Sequence, residues 1–152
     1  MLTYLPRIQR SSADGKSDER NISLMMKKSP PSVLIVDDEA LIRWSLAEML
    51  SERGYAVTEA EDARTAVAAI ENAEEPFDVV LLDYRLPDSA DLRFLQTVRR
   101  LAPSSRIIMI TAHDSPELAK GAVALGAYSI ISKPFEVESL AALVNQARTN
   151  RF

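Results

Sequence analysis

The stretch Phe77-Asp78-Val79-Val80-Leu81-Leu82-Asp83-Tyr84-Arg85-Leu86-Pro87-Asp88 constrains this chain more than any other. Val79 to Leu82 is an unbroken apolar run, too short for a helix and opened by two β-branched residues. Such a run reads as a strand covered on both faces, the type that fills the middle of a parallel sheet. It ends in a carboxylate, Asp83, and Pro87 follows, which cannot donate to a sheet ladder. Asp83 therefore falls at the carboxyl end of a central strand, where a loop begins. In open α/β sheets that edge is where ligands bind.

The rest of the chain alternates around this strand. Val33-Leu34-Ile35-Val36 is a second strand of the same type, ending in Asp37-Asp38-Glu39. Ile42, Leu46, Met49 and Leu50 then form a helical stripe, with Gly54 as its stop. Ala56 to Ala60 alternates and carries Thr58 and Glu59, which predicts an edge strand. Asp62 is placed to cap a helix whose apolar side is Ala63, Ala66, Val67 and Ile70, ended by Glu74-Glu75-Pro76. Phe94, Val98 and Leu101 mark a helix closed by Pro103. Ile107 to Ile110 is a fourth strand ending in Thr111. Pro116 suits the first turn of a helix capped by Ser115 or Asp114 and ending near Gly126. Ser129 to Ser132 is a fifth strand ending at Lys133-Pro134, and Leu140, Leu143, Val144 and Ala147 line a last helix. Repeated βα units with short connections predict an α/β fold: a doubly wound parallel sheet with right-handed crossovers.

Composition narrows the chemistry. The 152 residues suit one domain, and 47% hydrophobic content supplies its core. With no cysteine and one histidine, thiolate and multi-histidine metal sites are excluded within one chain. No apolar run reaches a membrane span, and no apolar segment follows Arg7 and Arg10 as in a signal peptide, so the expected compartment is the cytoplasm. Residues 1–31 carry six Lys/Arg against three Asp/Glu and lack periodicity, which predicts a disordered leader. Met25 and Met26 offer a second reading, in which translation starts there and the residues before them are mis-annotated. Residues 32–152 carry a net charge of −7, which argues against a general nucleic-acid surface.

The strand ends are polar: Asp37 and Asp38, Asp83, Thr111 and Lys133. In a parallel sheet they share one edge. Three carboxylates there repel one another unless a cation joins them, and hard oxygen ligands favour Mg²⁺. Mg²⁺ beside carboxylates suits phosphoryl transfer, with a carboxylate as nucleophile and Lys133 and Thr111 holding phosphoryl oxygens.

Asp37-Asp38, Asp83, Leu86-Pro87, Thr111-Ala112 and Lys133-Pro134-Phe135, in this order at successive strand ends, resemble the receiver domain of two-component response regulators. The resemblance covers residues 32–149, leaving 150–152 as a tail, with no output domain. Ile42-Arg43-Trp44, Thr111-Ala112-His113 and Leu125-Gly126-Ala127-Tyr128 look most like receivers of the NtrC-type enhancer-binding activators. The resemblance implies a flavodoxin-like sheet of order 2-1-3-4-5 and an Mg²⁺-dependent phosphoacceptor, Asp83, charged by a sensor histidine kinase or phosphotransfer protein. Asp38 matches the main metal ligand, Asp37 a ligand through water, and Asp83 and the backbone carbonyl of Arg85 complete the metal set. Thr111 and Tyr128 match the switch pair and Lys133 the phosphate-binding lysine, beside a peptide bond to Pro134 that is often cis in this family. Arg85 and His113 occupy positions that tune the phosphoryl lifetime, and both are large enough to shield it from water. Such a domain promotes its own phosphorylation and slow dephosphorylation and is not a turnover enzyme.

Asp91 stands where the family often has Gly, which leaves the conformation of that loop open. The sparsely charged helix 116–125 offers a face for a downstream protein or a second copy. Trp44, off its helix's stripe, reads as surface packing or a partner contact. A rival reading is an interaction module on the same fold that is never phosphorylated. A phosphatase with an aspartate nucleophile fits poorly, because Arg85 stands where its acid/base Asp belongs.

Overall fold

The computed structural model describes residues 29–150 of the chain, and its compact unit begins at Pro31. Residues 1–28 of the expected leader, with the Met25/Met26 start, lie outside the described residues, while Pro31 already belongs to the folded unit and accepts the Ala56 N–H at 2.8 Å. The elements are β1 (Ser32–Val36), α1 (Ala40–Glu52), β2 (Ala56–Ala60), α2 (Ala63–Asn72), β3 (Val79–Asp83), α3 (Arg93–Leu101), β4 (Arg106–Thr111), α4 (Pro116–Ala124), β5 (Ser129–Ser132) and α5 (Val137–Thr149). The strands form one parallel sheet in the order β2-β1-β3-β4-β5, so β3 is central and β2 is an edge, as its alternation predicted.

The period-2 geometry of the strands divides the core into two layers. Leu34, Val36, Val80, Leu82, Ile107 and Met109 face Ala66 of α2, Phe94, Leu95 and Val98 of α3, and Ala122 of α4. Val33, Ile35, Val79, Leu81, Ile108 and Ile110 face Leu46 and Leu50 of α1, and Leu140, Val144 and Ala147 of α5. Every residue of β3 is buried, which is why its sequence shows no polar alternation. Each such Leu or Val adds about 1.5–3 kcal/mol of burial.

Local signals set the helix ends. Asp62 Oδ1 accepts the Thr65 N–H at 2.8 Å, and Thr65 Oγ1 returns a bond to the Asp62 N–H, a reciprocal cap. Ser115, rather than Asp114, caps α4 through the Leu118 N–H at 3.0 Å. α1 and α4 both end in a glycine with positive φ, Gly54 at 94° and Gly126 at 102°. In each, the glycine and the following residue donate to carbonyls of the last turn. Among the described residues no other has positive φ. The Asp91 loop thus needs no left-handed residue. Asp91 Oδ1 accepts the Arg93 N–H at 2.9 Å and opens α3 itself. Farther up the same loop, Leu86 and Ser89 exchange backbone bonds, and Asp88 reaches across to accept the Ala63 and Arg64 N–H groups of α2.

Gly126 is held by more than its φ. The Arg99 guanidinium donates to the carbonyls of Gly126, Ala102 and Ser105, at 3.0, 2.7 and 2.5 Å. A Cβ at Gly126 would lie 2.6 Å from Arg99 Cδ, in the middle of a side chain pinned at its far end. Gly126→Ala is therefore expected to cost about 2 kcal/mol, from positive-φ strain plus loss of the Arg99 staple. Urea unfolding measures it; an unchanged midpoint would show that the staple yields freely.

Candidate functional site

Parallel register delivers the polar strand ends to one edge. Val36 pairs with Leu82, so Asp37 and Asp83 emerge side by side from β1 and β3. Asp83 pairs with Ile110, and Thr111 with Ser132, which brings Thr111 and Lys133 in from β4 and β5. Asp37, Asp83 and Thr111 are buried polar residues in a molecule whose core is otherwise almost wholly apolar.

Lys133 is the centre of the cluster. Its Nζ lies 3.1 Å from Asp83 Oδ2, 3.2 Å from Asp37 Oδ2 and 2.7 Å from Glu39 Oε1. The Glu39 and Asp83 contacts are hydrogen bonds. The Asp37 contact has ion-pair distance only, and Asp37 Oδ2 is buried without a hydrogen bond. Burial pushes the Asp83 carboxyl up, and the charge of Asp37 adds to it; Lys133 opposes both, and the group settles at about 6. For Lys133, burial acts downward, but the Glu39 hydrogen bond and the charges of Asp37 and Asp83 outweigh it and hold the ammonium above its usual value.

The other candidate residues take distinct places. Thr111 Oγ1 accepts the His113 N–H at 3.0 Å. The Arg85 N–H points to Asp83 Oδ1 at a long 3.4 Å, while the side chains of Arg85 and His113 are exposed. Tyr128 is half-buried against the α1/α5 layer, with the Arg106 guanidinium 5.8 Å from its ring centroid and its hydroxyl accepting from Asn150 Nδ2. The Lys133-Pro134 bond is cis. Asp38 is exposed and stands outside the group of carboxylates whose oxygens lie within 4.8 Å of one another, which is Asp37, Glu39 and Asp83. Glu39 was missed in the sequence because a third acidic residue after a strand reads as the start of a solvated helix. Only the fold shows that Lys133 reaches it.

These donors suit a small hard cation. All are carboxylate oxygens, three converge, and one buried oxygen lacks a hydrogen bond. A cleft of about 600 Å³ opens beside Lys133, lined by Leu41, Ile42, Leu46, Phe135 and Val137 among others. Leu41 and Trp44 are 73% and 60% exposed on the same helix.

The fold is a doubly wound parallel sheet with an acidic cluster at the carboxyl edge of its strands. The response regulator receiver domain profile matches residues 33–145, and the chain belongs to that family. It is 34% identical over 119 residues to the DNA-binding transcriptional regulator NtrC of Proteus hauseri, covering 78% of this chain and 25% of that protein. The chain thus spans about a quarter of the length of the NtrC regulators it matches. A CheY-like receiver domain from Methanospirillum hungatei JF-1 superposes with TM-score 0.75 at 32% identity, covering 80% of this chain and 96% of that one. A response regulator from Burkholderia pseudomallei, solved with a phosphorylated aspartic acid, calcium ion and citrate, superposes with TM-score 0.69 at 30% identity, covering 77% and 68%.

Proposed function

We propose that residues 32–149 act as a phosphorylatable switch with Asp83 as phosphoacceptor. One observation carries this reading: a buried carboxylate ends the central strand with an ammonium 3.1 Å away and a second buried carboxylate beside it. An Asp83 oxygen attacks phosphorus of a phosphohistidine on a sensor kinase or phosphotransfer protein. The P–N bond breaks, the imidazole leaves, and an acyl phosphate forms. Asp37, Asp38, Asp83 and the Arg85 carbonyl would hold Mg²⁺, which neutralises charge on the transferring group. Lys133 supplies a point charge to the phosphoryl oxygens, and Thr111 turns its hydroxyl from His113 toward them. The cleft beside Lys133 and the exposed Leu41 and Trp44 suit a protein donor.

Thr111 moving inward frees space for Tyr128, and the surface of α4, β5 and α5 changes for a downstream protein or a second copy. Arg85 and His113, exposed two residues beyond Asp83 and Thr111, slow the water that would hydrolyse the acyl phosphate. The relatives named as DNA-binding regulators make a transcriptional output the favoured one, reached through another domain or chain rather than through this acidic surface. We assign the domain to the cytoplasm; among the described residues no helix is long and apolar enough to cross a membrane.

The test is intact mass after incubation with acetyl phosphate, with and without Mg²⁺. The wild type should gain one phosphoryl group only with Mg²⁺, and Asp83→Asn should gain none. No gain, under conditions that label a control receiver, would leave the non-phosphorylated interaction module as the function.

A further inference from the structure

We infer that Glu39 is a positioning residue for Lys133: its carboxylate shares the ammonium with Asp37 and Asp83 and gives it a partner to keep when a divalent cation enters the acidic pocket. The inference rests on the proposed function, since it concerns how the same site is made ready.

Glu39 occupies the N-cap of α1, where Ser, Thr, Asp or Asn would normally turn a side-chain oxygen onto the first free N–H groups. It makes no such bond. Its carboxylate instead takes the shortest of the three Lys133 contacts, 2.7 Å against 3.1 Å to Asp83 and 3.2 Å to Asp37. Its backbone is fixed for the purpose: the Glu39 N–H donates to Asp37 Oδ1 at 2.8 Å, and the Glu39 carbonyl accepts the Arg43 N–H at 2.9 Å. The Arg43 guanidinium clamps the turn from behind, donating to the Asp37 carbonyl at 2.6 Å and to Glu59 at 3.1 Å. The ammonium therefore contacts three carboxylates whose oxygens lie within 4.8 Å of one another, two of them buried and the third 56% exposed.

The geometry sets a competition. A divalent cation entering against Asp37 and Asp83 must displace Lys133, whose own charge repels it. With Glu39 in place the ammonium has an alternative partner outside the buried pair and stays within reach of a phosphoryl oxygen. Without Glu39, Lys133 has only Asp37 and Asp83, and the pocket closes on itself.

The experiment is a double-mutant cycle of Glu39→Gln with Lys133→Met, with Lys133→Gln as a second background in case the Met variant folds poorly. Mg²⁺ affinity is read by titration calorimetry and, separately, the melting temperature is read without metal. Glu39→Gln should raise the Mg²⁺ Kd about fivefold or more with Lys133 present and less than twofold with Lys133 removed. Equal losses in both backgrounds would make Glu39 a direct ligand or a mere field effect and overturn the inference, as would no loss in either. In metal-free buffer the two substitutions should be non-additive in melting temperature; additive shifts would show that no Glu39–Lys133 coupling exists. This arm reads the pair directly, so its failure is distinct from a wild type that never takes a phosphoryl group.

Discussion

Asp83→Asn is expected to melt above the wild type in metal-free buffer at pH 7, and to lose that advantage when Mg²⁺ is added. Asp83 is pushed up to about 6 in the folded protein, chiefly by burial and then by Asp37, against an ordinary value near 3.8. The folded state therefore binds its proton more tightly than the unfolded chain does. Between about pH 4 and pH 6 stability from this group falls as pH rises, and above pH 6 the full cost of an ionised Asp83 is present. Asn removes the charge and the cost. Discounted for solvent at the mouth of the site, the gain at pH 7 is about 1–2 kcal/mol, which corresponds to a rise of several degrees. The difference between variant and wild type should shrink steadily as the pH falls from 6 to 4 and vanish only below that, where Asp83 is protonated in the unfolded chain as well. Mg²⁺ should reverse the order by mass action: at one hundred times its Kd a ligand stabilises by about 2.7 kcal/mol, and the variant lacks the Asp83 oxygen of the proposed metal set. Thermal melts over pH 4–8 with and without Mg²⁺ measure both effects. A variant that melts below the wild type at pH 7 without metal would show that Asp83 is not held in a strained ionised state.

Much of this could be read from the residues because strand ends and helix caps are local signals. The unbroken Val79–Leu82 run, Asp62, Pro116 and the two helix-ending glycines each act within a few residues, and each lies where it was read. The parallel register then converts a list of strand ends into one edge, so the meeting of Asp37, Asp83, Thr111 and Lys133 follows from β-order alone. What could not be read depends on side-chain reach across the fold. Lys133 bonds Glu39 across 94 positions, and Asp88 joins the loop beyond Asp83 to the first amides of α2 across about 25. No local propensity encodes either. The Asp91 loop shows the same limit. The missing glycine leaves the loop's conformation open in the sequence, while the chain settles it with the Asp91 side chain and a tether at Asp88.

Lys133→Met should be the most damaging change that leaves the apolar core intact. The Lys133 side chain is only 13% exposed and is the cation that joins Asp37 and Asp83, which are 1% and 6% exposed. Removing one partner from a buried ionic group leaves the others uncompensated, a loss of about 3 kcal/mol or more. The pH dependence comes from the carboxylates. The folded Lys133 pKa is raised, so its stabilisation is fully present below the ordinary lysine value and stays constant through pH 4–8. Without the ammonium, Asp83 loses the one influence of a neighbouring charge holding its pKa down, and it should take up a proton at a higher pH than in the wild type. The deficit should accordingly be greatest at neutral or higher pH and should shrink as the pH falls through 6. Mg²⁺ replaces the missing positive charge, so the variant should gain more stability from saturating metal than the wild type does, even though an apolar side chain now lines its pocket. Urea unfolding at pH 7.5 and pH 5, each with and without Mg²⁺, separates these terms. A variant as stable as the wild type at pH 7.5 without metal would show that Asp37 and Asp83 do not depend on Lys133. A deficit that Mg²⁺ fails to narrow would show that the pocket does not accept a divalent cation in the place of the ammonium.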